Sequence, residues 1–173
     1  MQGVEKASDY ILVDMGRPRF AWRDIPLAVP IDETIPQIKE LYGLSSPTFV
    51  SMGNPHAVFF MSELPSDAEV ARIGAQIENN TELFPERINV SFVSPKPPYL
   101  HAKVWERGAG LTKACGTGAC AILAAAHKVT TFFDAMTVIF ENSGQSVSVK
   151  ILENGHILLG GKVEKEFEGE VEI

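Results

Sequence analysis

The chain has 173 residues, 45% of them apolar and 21% charged, which suits one globular domain with a core of ordinary size. A formal net charge of -7 excludes the basic face that a nucleic-acid partner requires, and no apolar run approaches the ~18 residues of a membrane span. The opening MQGVEKASDY carries neither a signal-peptide nor a transit-peptide pattern, and with only two cysteines a disulfide-dependent secreted fold is not expected, so the expected location is the cytoplasm.

In chain order, residues 10–14 form a short β run that ends at Met15-Gly16. Residues 36–42 read as a helix, with Pro36 at its first position and Gly43 just past its end. A strand over 48–52 runs into the turn signature Gly53-Asn54-Pro55, and a continuous apolar strand over 57–61 follows at once. Ser66 with Glu69 three residues on is a capping box, and Val70, Ile73 and Ile77 recur at helical spacing as one buried stripe. Residues 88–93 alternate, with Ile88, Val90 and Phe92 on one face, and 100–105 form another strand.

The stretch 116–128 is a helix that is apolar nearly all round. It is too short to span a membrane, so it belongs at the centre of the molecule, wrapped by strands. Strands over 137–141, 146–152 and 156–159 are separated by Asn-Ser-Gly and Glu-Asn-Gly, which is hairpin chemistry. Beyond Gly160-Gly161, residues 162–173 read as a last, charged edge strand. There is no internal repeat, low-complexity segment or linker. The expected fold is a single α+β domain over 1–173, a mostly antiparallel sheet curled around one central buried helix.

Cys115 and Cys120 need separate explanations. On one helix their Cα atoms are ~7.5 Å apart along the axis, beyond the usual disulfide limit of ~6.8 Å. No Cys-His pair has zinc-site spacing, so no metal is expected. The segment 105–120 runs from a strand through a Gly-rich loop to Cys115 and then into the buried helix. A helix N-terminus presents unpaired N–H groups and partial positive charge, which bind a carboxylate and lower a thiol's pKa. Gly116 and Gly118 allow close approach of a ligand. A cysteine at a helix start is more often a small buried hydrophobe, but the glycines and Glu106-Arg107 favour chemistry at Cys115, whereas Cys120 among alanines reads as core.

Two further segments carry polar residues of interest. Pro55 pushes Asn54 towards extended geometry, where its amide offers both a donor and an acceptor at a strand end. His56 is either an acid–base partner for a thiol or a loop histidine satisfied by backbone, and by itself the second reading is favoured. Asn89 lies on the strand face opposite the apolar one and points to solvent or into a cleft.

GNPHAV at 53–58, INVSF at 88–92, ERGAGLTKACGTGACA at 106–121 and VDMG at 13–16 together resemble the pyridoxal-independent diaminopimelate epimerases. The resemblance covers essentially the whole chain but only the second half of the family's length. Proline racemase-like enzymes share Cys-Gly-Thr-Gly and not the whole set. FENSGQSVSVK at 140–150 departs from the family's usual Pro-Gly-Gly turn and puts the local hairpin in question. The resemblance implies a half of a pseudo-symmetric two-domain enzyme that interconverts LL- and meso-diaminopimelate, towards lysine and peptidoglycan, without a cofactor.

By the same resemblance Cys115 is one of two catalytic thiols, and Gly116 and Thr117 offer backbone N–H groups to the substrate α-carboxylate. Asn54, Asn89 and Arg107 hold the distal amino-acid group. His56 and Glu106 stand near the thiols and assist their proton transfers, Glu106 also lining the substrate site. The second thiol is then expected from an absent N-terminal half, with 1–16 as the linking strand, so this chain alone is expected to be inactive. A second copy of the chain is a further candidate partner. Rival readings are another racemase on the same fold, a Cys-His hydrolase using Cys115 and His56, and a non-catalytic module that keeps the carboxylate cradle.

Overall fold

The computed structural model describes residues 4–7, 10–130, 133–164 and 169. Their elements run β1 (Val4–Ala7), β2 (Tyr10–Asp14), α1 (Ile31–Tyr42), β3 (Thr48–Ser51), β4 (Pro55–Phe60), α2 (Asp67–Glu78), β5 (Asn89–Lys96), β6 (Tyr99–Glu106), β7 (Gly110–Leu111), α3 (Gly116–Thr130), β8 (Ala135–Phe140), β9 (Gln145–Ile151) and β10 (Ile157–Lys162). The class is α+β, as the pattern of runs and turns implies.

Every residue of α3 from Gly118 to Ala126 is buried. Alanine is the strongest helix former and adds little bulk, so strands can close in on all sides. The sheet order is β1-β2-β10-β9-β8-β6-β5-β4-β3, with β7 hanging on β6. Its neighbours are antiparallel except for the parallel pairs β4/β5 and β6/β8. Helix α3 touches β3, β4 and β5 on one flank and β8, β9 and β10 on the other, so the sheet curls round it. Residues 15–19 draw the two ends of the curl together. Met15 N–H donates to Ile157 O at 2.9 Å, and Arg19 exchanges backbone hydrogen bonds of 2.9 and 2.8 Å with Ser51 of the edge strand β3.

The alternation of β4, β5 and β6 builds two cores. Ala57, Phe59, Val90 and Phe92 face outwards onto Ile38 of α1 and Val70 and Ile77 of α2. Val58, Val93, Ala102 and Val104 face inwards onto α3. Each fully buried Ile or Phe contributes roughly 1.5–3 kcal/mol. By the same two-residue period His56 stands with Val58, and Asn89 with Val93, on the α3 side, and the two are ladder partners.

Several elements differ from the sequence reading. Helix α1 starts at Ile31, so Pro36 lies inside it rather than at its first position. The Thr34 hydroxyl and the N–H groups of Glu33 and Thr34 bond to Pro30 O, building a first turn ahead of the proline. Burial of Ile38 offsets the helical bond that Pro36 does not make. Gly43 caps the helix at φ 64, donating to Lys39 O, as expected. The strand before the C-terminus does not break at Gly160-Gly161: β10 runs through them to Lys162. A Cβ on Gly160 would stand 2.5 Å from Ser148 Oγ and 2.7 Å from Tyr10 Oη, so the glycine serves close strand contact rather than a turn. Residues 163 and 164 are not strand, and most of the expected edge strand 162–173 lies outside the described residues. The hairpin over 140–150 forms despite its unusual turn, with Phe140 paired to Gln145. Among the described residues no helix is long and apolar enough to cross a membrane.

Candidate active site

Parallel β4 and β5 begin, and antiparallel β6 ends, at one end of the sheet. Asn54, His56, Asn89, Glu106 and Arg107 are gathered there. The loop after β7 brings the chain into α3 at the same end, so Cys115, Gly116 and Thr117 join them.

Cys115 occupies the N-cap of α3. Its carbonyl accepts from Ala119 N at 2.9 Å, and its Sγ accepts from Gly118 N at 3.3 Å. The sulfur thus takes the place that a serine or aspartate oxygen holds in an ordinary cap. Gly118 permits this, because a Cβ there would lie 3.1 Å from Sγ. Thr117 Oγ1 is 3.6 Å from Sγ and accepts from Asn54 Nδ2 at 3.2 Å. With that bond accepted, the threonine hydroxyl can direct its proton at the sulfur. Asn54 Oδ1 takes the His56 Nε2 proton at 3.0 Å, since an amide oxygen only accepts.

His56 is fully buried. Burial, then the nearby positive charge of Arg107, push its pKa down to about 3, so the ring is neutral at physiological pH. Its Nδ1 is buried with no hydrogen-bond partner among the described residues. A chain of hydrogen bonds runs from the ring through Asn54 and Thr117 to the thiol.

The helix terminus does not lower the thiol's pKa as the sequence reading expects. Burial pushes Cys115 up to about 11, the hydrogen bonds from Thr117 and Gly118 oppose it, and the negative charge of Glu106 adds to the rise. Burial outweighs the stabilising hydrogen bonds from Thr117 and Gly118. Cys120, buried within α3, is raised to about 12, again by burial first. Both thiols are free.

Glu106, at the end of β6, accepts a hydrogen bond from Thr112 Oγ1. Arg107 N–H donates to Asn89 Oδ1 at 2.9 Å, and its guanidinium donates to Glu86 O at 2.6 Å. Asn89 also donates to Pro55 O at 2.8 Å. Its side chain is buried rather than open to solvent. It ties the Asn54-Pro55 turn to the Arg107 loop, with part of its amide capacity still uncommitted.

Sequence reasoning did not find the residues that hold the Cys115 loop from outside. Asn142 Nδ2 donates to Thr112 O at 2.6 Å, and Ser143 Oγ donates to Lys113 O. Both come from the β8–β9 turn, about thirty residues away in the chain by number. That separation leaves no local signal.

The family model for diaminopimelate epimerase matches residues 48–166, a span that contains the whole cluster. The chain belongs to the diaminopimelate epimerase family. Among curated relatives, diaminopimelate epimerase from Acidiphilium cryptum is 41% identical over 168 residues, covering 96% of this chain and 59% of that protein. The Zymomonas mobilis enzyme of the same name is 44% identical over 161 residues, covering 92% and 58%. The chain thus spans about three fifths of the length of the curated relatives it matches. A solved structure described as a predicted epimerase from Pseudomonas aeruginosa superposes with a TM-score of 0.60 at 19% identity, over 92% of this chain and 58% of that one. A PhzC/PhzF phenazine biosynthesis protein from Clostridium difficile gives 0.58 at 12% identity, over 98% and 61%. At those identities the two structures support the fold of this epimerase-family chain and nothing finer.

Proposed function

We propose that this chain forms one catalytic wall of a cofactor-independent diaminopimelate epimerase, with Cys115 as one of its two acid–base groups. The observation that carries this is the thiol at the N-cap of α3, bonded by Gly118 N–H and beside Thr117, with a carboxylate, Glu106, close enough to act on its charge.

Inverting an α-carbon requires removal of a proton from one face and delivery of another to the opposite face. Cys115 acts as base from its thiolate form, which the Gly118 N–H and the Thr117 hydroxyl hold, with Glu106 beside it to assist proton transfer to and from the sulfur. The thiolate takes the substrate α-proton. A thiolate whose conjugate acid is raised to about 11 is a stronger base than an ordinary one, which suits a weakly acidic carbon. The first-turn N–H groups of Gly116 and Thr117 have no intrahelical acceptor and receive the α-carboxylate. Charge that develops at the α-carbon is met by these fixed dipoles in a water-poor site. Arg107, with Asn54 and Asn89, receives the distal amino-acid group.

Cys120 is fully buried in α3 and is not the second base. We assign the second thiol to a part of the enzyme beyond the three fifths of relative length that this chain spans. A cytoplasmic location accords with two free thiols. A Cys-His hydrolase is disfavoured by the geometry, because His56 commits Nε2 to Asn54 and has no direct bond to Cys115. The test is incubation with LL-diaminopimelate in D₂O, followed by NMR, for this chain alone and for this chain joined to the remaining portion of a family enzyme. Loss of the α-proton signal is expected only in the joined form. Exchange by neither form contradicts the assignment.

A further inference from the structure

A buried carboxylate outside the cluster contacts both flanks of it. Glu78, the last residue of α2, is 4% exposed. Its Oε2 accepts from Trp105 Nε1 at 2.7 Å, and its Oε1 accepts from Gly108 N at 2.8 Å and from Arg87 Nη1 at 2.9 Å. Trp105 immediately precedes Glu106, Gly108 immediately follows Arg107, and Arg87 stands two residues before Asn89. One carboxylate therefore grips the chain on both sides of the Glu106-Arg107 pair and just ahead of the asparagine that accepts the Arg107 N–H.

The grip is built with some expense of backbone freedom. Arg87 sits at φ 58, the only non-glycine at positive φ among the described residues, and Gly108 at φ 80 turns the chain sharply after Arg107. The Trp105 ring lies so close on α2 that a Cβ on Gly74 would be 2.5 Å from its Cγ, which fixes the indole N–H against Glu78. Burial alone would raise the Glu78 pKa, but the bonds from Trp105, Gly108 and Arg87 outweigh it and hold the carboxyl below its ordinary value. Glu78 is thus ionised, and each of its hydrogen bonds is charge-assisted.

We infer that Glu78 is the positioning residue of the distal-group subsite: its carboxylate sets the loop at 106–108 so that Arg107 and Asn89 present themselves to substrate together. The inference rests on the epimerase reading for its kinetic part and on geometry alone for its structural part. A glutamine at this position has one acceptor oxygen and turns an NH₂ towards a donor, so at least one of the bonds is lost.

The experiment compares Glu78→Gln with wild type in the joined, active enzyme. Amide hydrogen exchange is measured residue by residue, and KM and kcat for diaminopimelate are measured well below the melting temperature of either protein. Whichever way the amide turns, the Gly108 bond is lost or loses its charge assistance, so the Gly108 amide is expected to exchange roughly tenfold faster while the interior of α2 stays protected. Arg107 and Asn89 bind substrate in ground and transition states alike, so KM is expected to rise by about tenfold with a smaller change in kcat. A merely structural Glu78 would lower the melting temperature and speed Gly108 exchange while leaving KM at its wild-type value, and an unchanged KM overturns the inference. If Glu78→Gln does not fold, Trp105→Phe removes a single donor and keeps an aromatic ring over Gly74. It is expected to show the same pattern at smaller size, and wild-type exchange and KM in that variant would be equally decisive against it. If the wild-type enzyme proves not to epimerise diaminopimelate, the functional reading fails, while the exchange arm still decides whether Glu78 holds the loop at 106–108.

Discussion

Thr117→Val removes a hydroxyl from the thiol and leaves the shape of the side chain nearly intact. Thr117 Oγ1 stands 3.6 Å from Cys115 Sγ and accepts Asn54 Nδ2 at 3.2 Å. Both contacts are long, so the hydroxyl's stabilisation of the thiolate belongs at the low end for bonds to charged groups, ~1.5 kcal/mol. That corresponds to about one pKa unit on a thiol that burial already holds at about 11. At a fixed pH of about 8.5 the thiolate fraction is far from saturation, so a one-unit rise removes about nine-tenths of the reactive form. The assay is the alkylation rate of Cys115 in the folded protein, resolved from Cys120 by peptide mapping. A fall of roughly tenfold is expected in Thr117→Val and near wild-type rate in Thr117→Ser, which keeps the oxygen. An unchanged rate in the valine variant would mean that the hydroxyl does not donate to the sulfur, and the ordered chain from His56 through Asn54 and Thr117 to Cys115 would be wrong.

Other expectations follow from the same geometry. In wild type under mild alkylation, Cys115, 5% exposed, labels ahead of Cys120, which is fully buried, and mapping that finds Cys120 first would reverse their assignment. His56 has a folded pKa lowered from 6.5 to about 3, so its contribution to stability is present above 6.5 and is lost as pH falls towards 3, where the unfolded ring gains its proton first. Denaturant titrations of wild type against His56→Gln are therefore expected to differ in slope by up to ~1.4 kcal/mol per pH unit below that value, and parallel curves would show that the ring is not buried neutral. Gly118→Ala places a Cβ 3.1 Å from Cys115 Sγ and Cβ, close enough to displace the thiol. A stability loss of ~1–3 kcal/mol, with slower α-hydrogen exchange in the joined enzyme, is expected, and full activity in a folded variant would show that the thiol's position is not critical.

What could be read from the sequence was what neighbouring residues decide among themselves. The apolar run 119–126 is enough to require a wrapped helix, and the strand, Gly-rich loop and glycine-flanked cysteine are enough to place Cys115 at its start. The Ser66–Glu69 capping box and the Gly43 cap are equally local and were legible. Quantities set by distant neighbours were not. The pKa of Cys115 depends on how deeply the curled sheet buries it, which the helix-terminus rule omits. The alternation of its strand leaves Asn89 to solvent or a cleft, but the bonds that bury it, to Pro55 O at the start of β4 and from Arg107 N–H in the turn after β6, come from segments remote in the chain. Asn142 and Ser143 carry no local mark, because their partners lie thirty residues away, and two of Glu78's three partners, Trp105 and Gly108, are as remote. Pro36 misled because a proline usually opens a helix, and here an earlier turn nucleated on Pro30 and packed through Ile38 overrides it.

The two-face chemistry assigned to Cys115 is tested most directly by Cys115→Ala in the joined enzyme, given LL- and meso-diaminopimelate separately in D₂O. With Cys115 gone, one base remains on the opposite face of the α-carbon. Epimerisation is expected to vanish, and deuterium is expected to enter, with retention, only the stereoisomer whose α-hydrogen faces that remaining base. Deuterium entering both stereoisomers at wild-type rates, or any inversion by the variant, would contradict a catalytic role for Cys115.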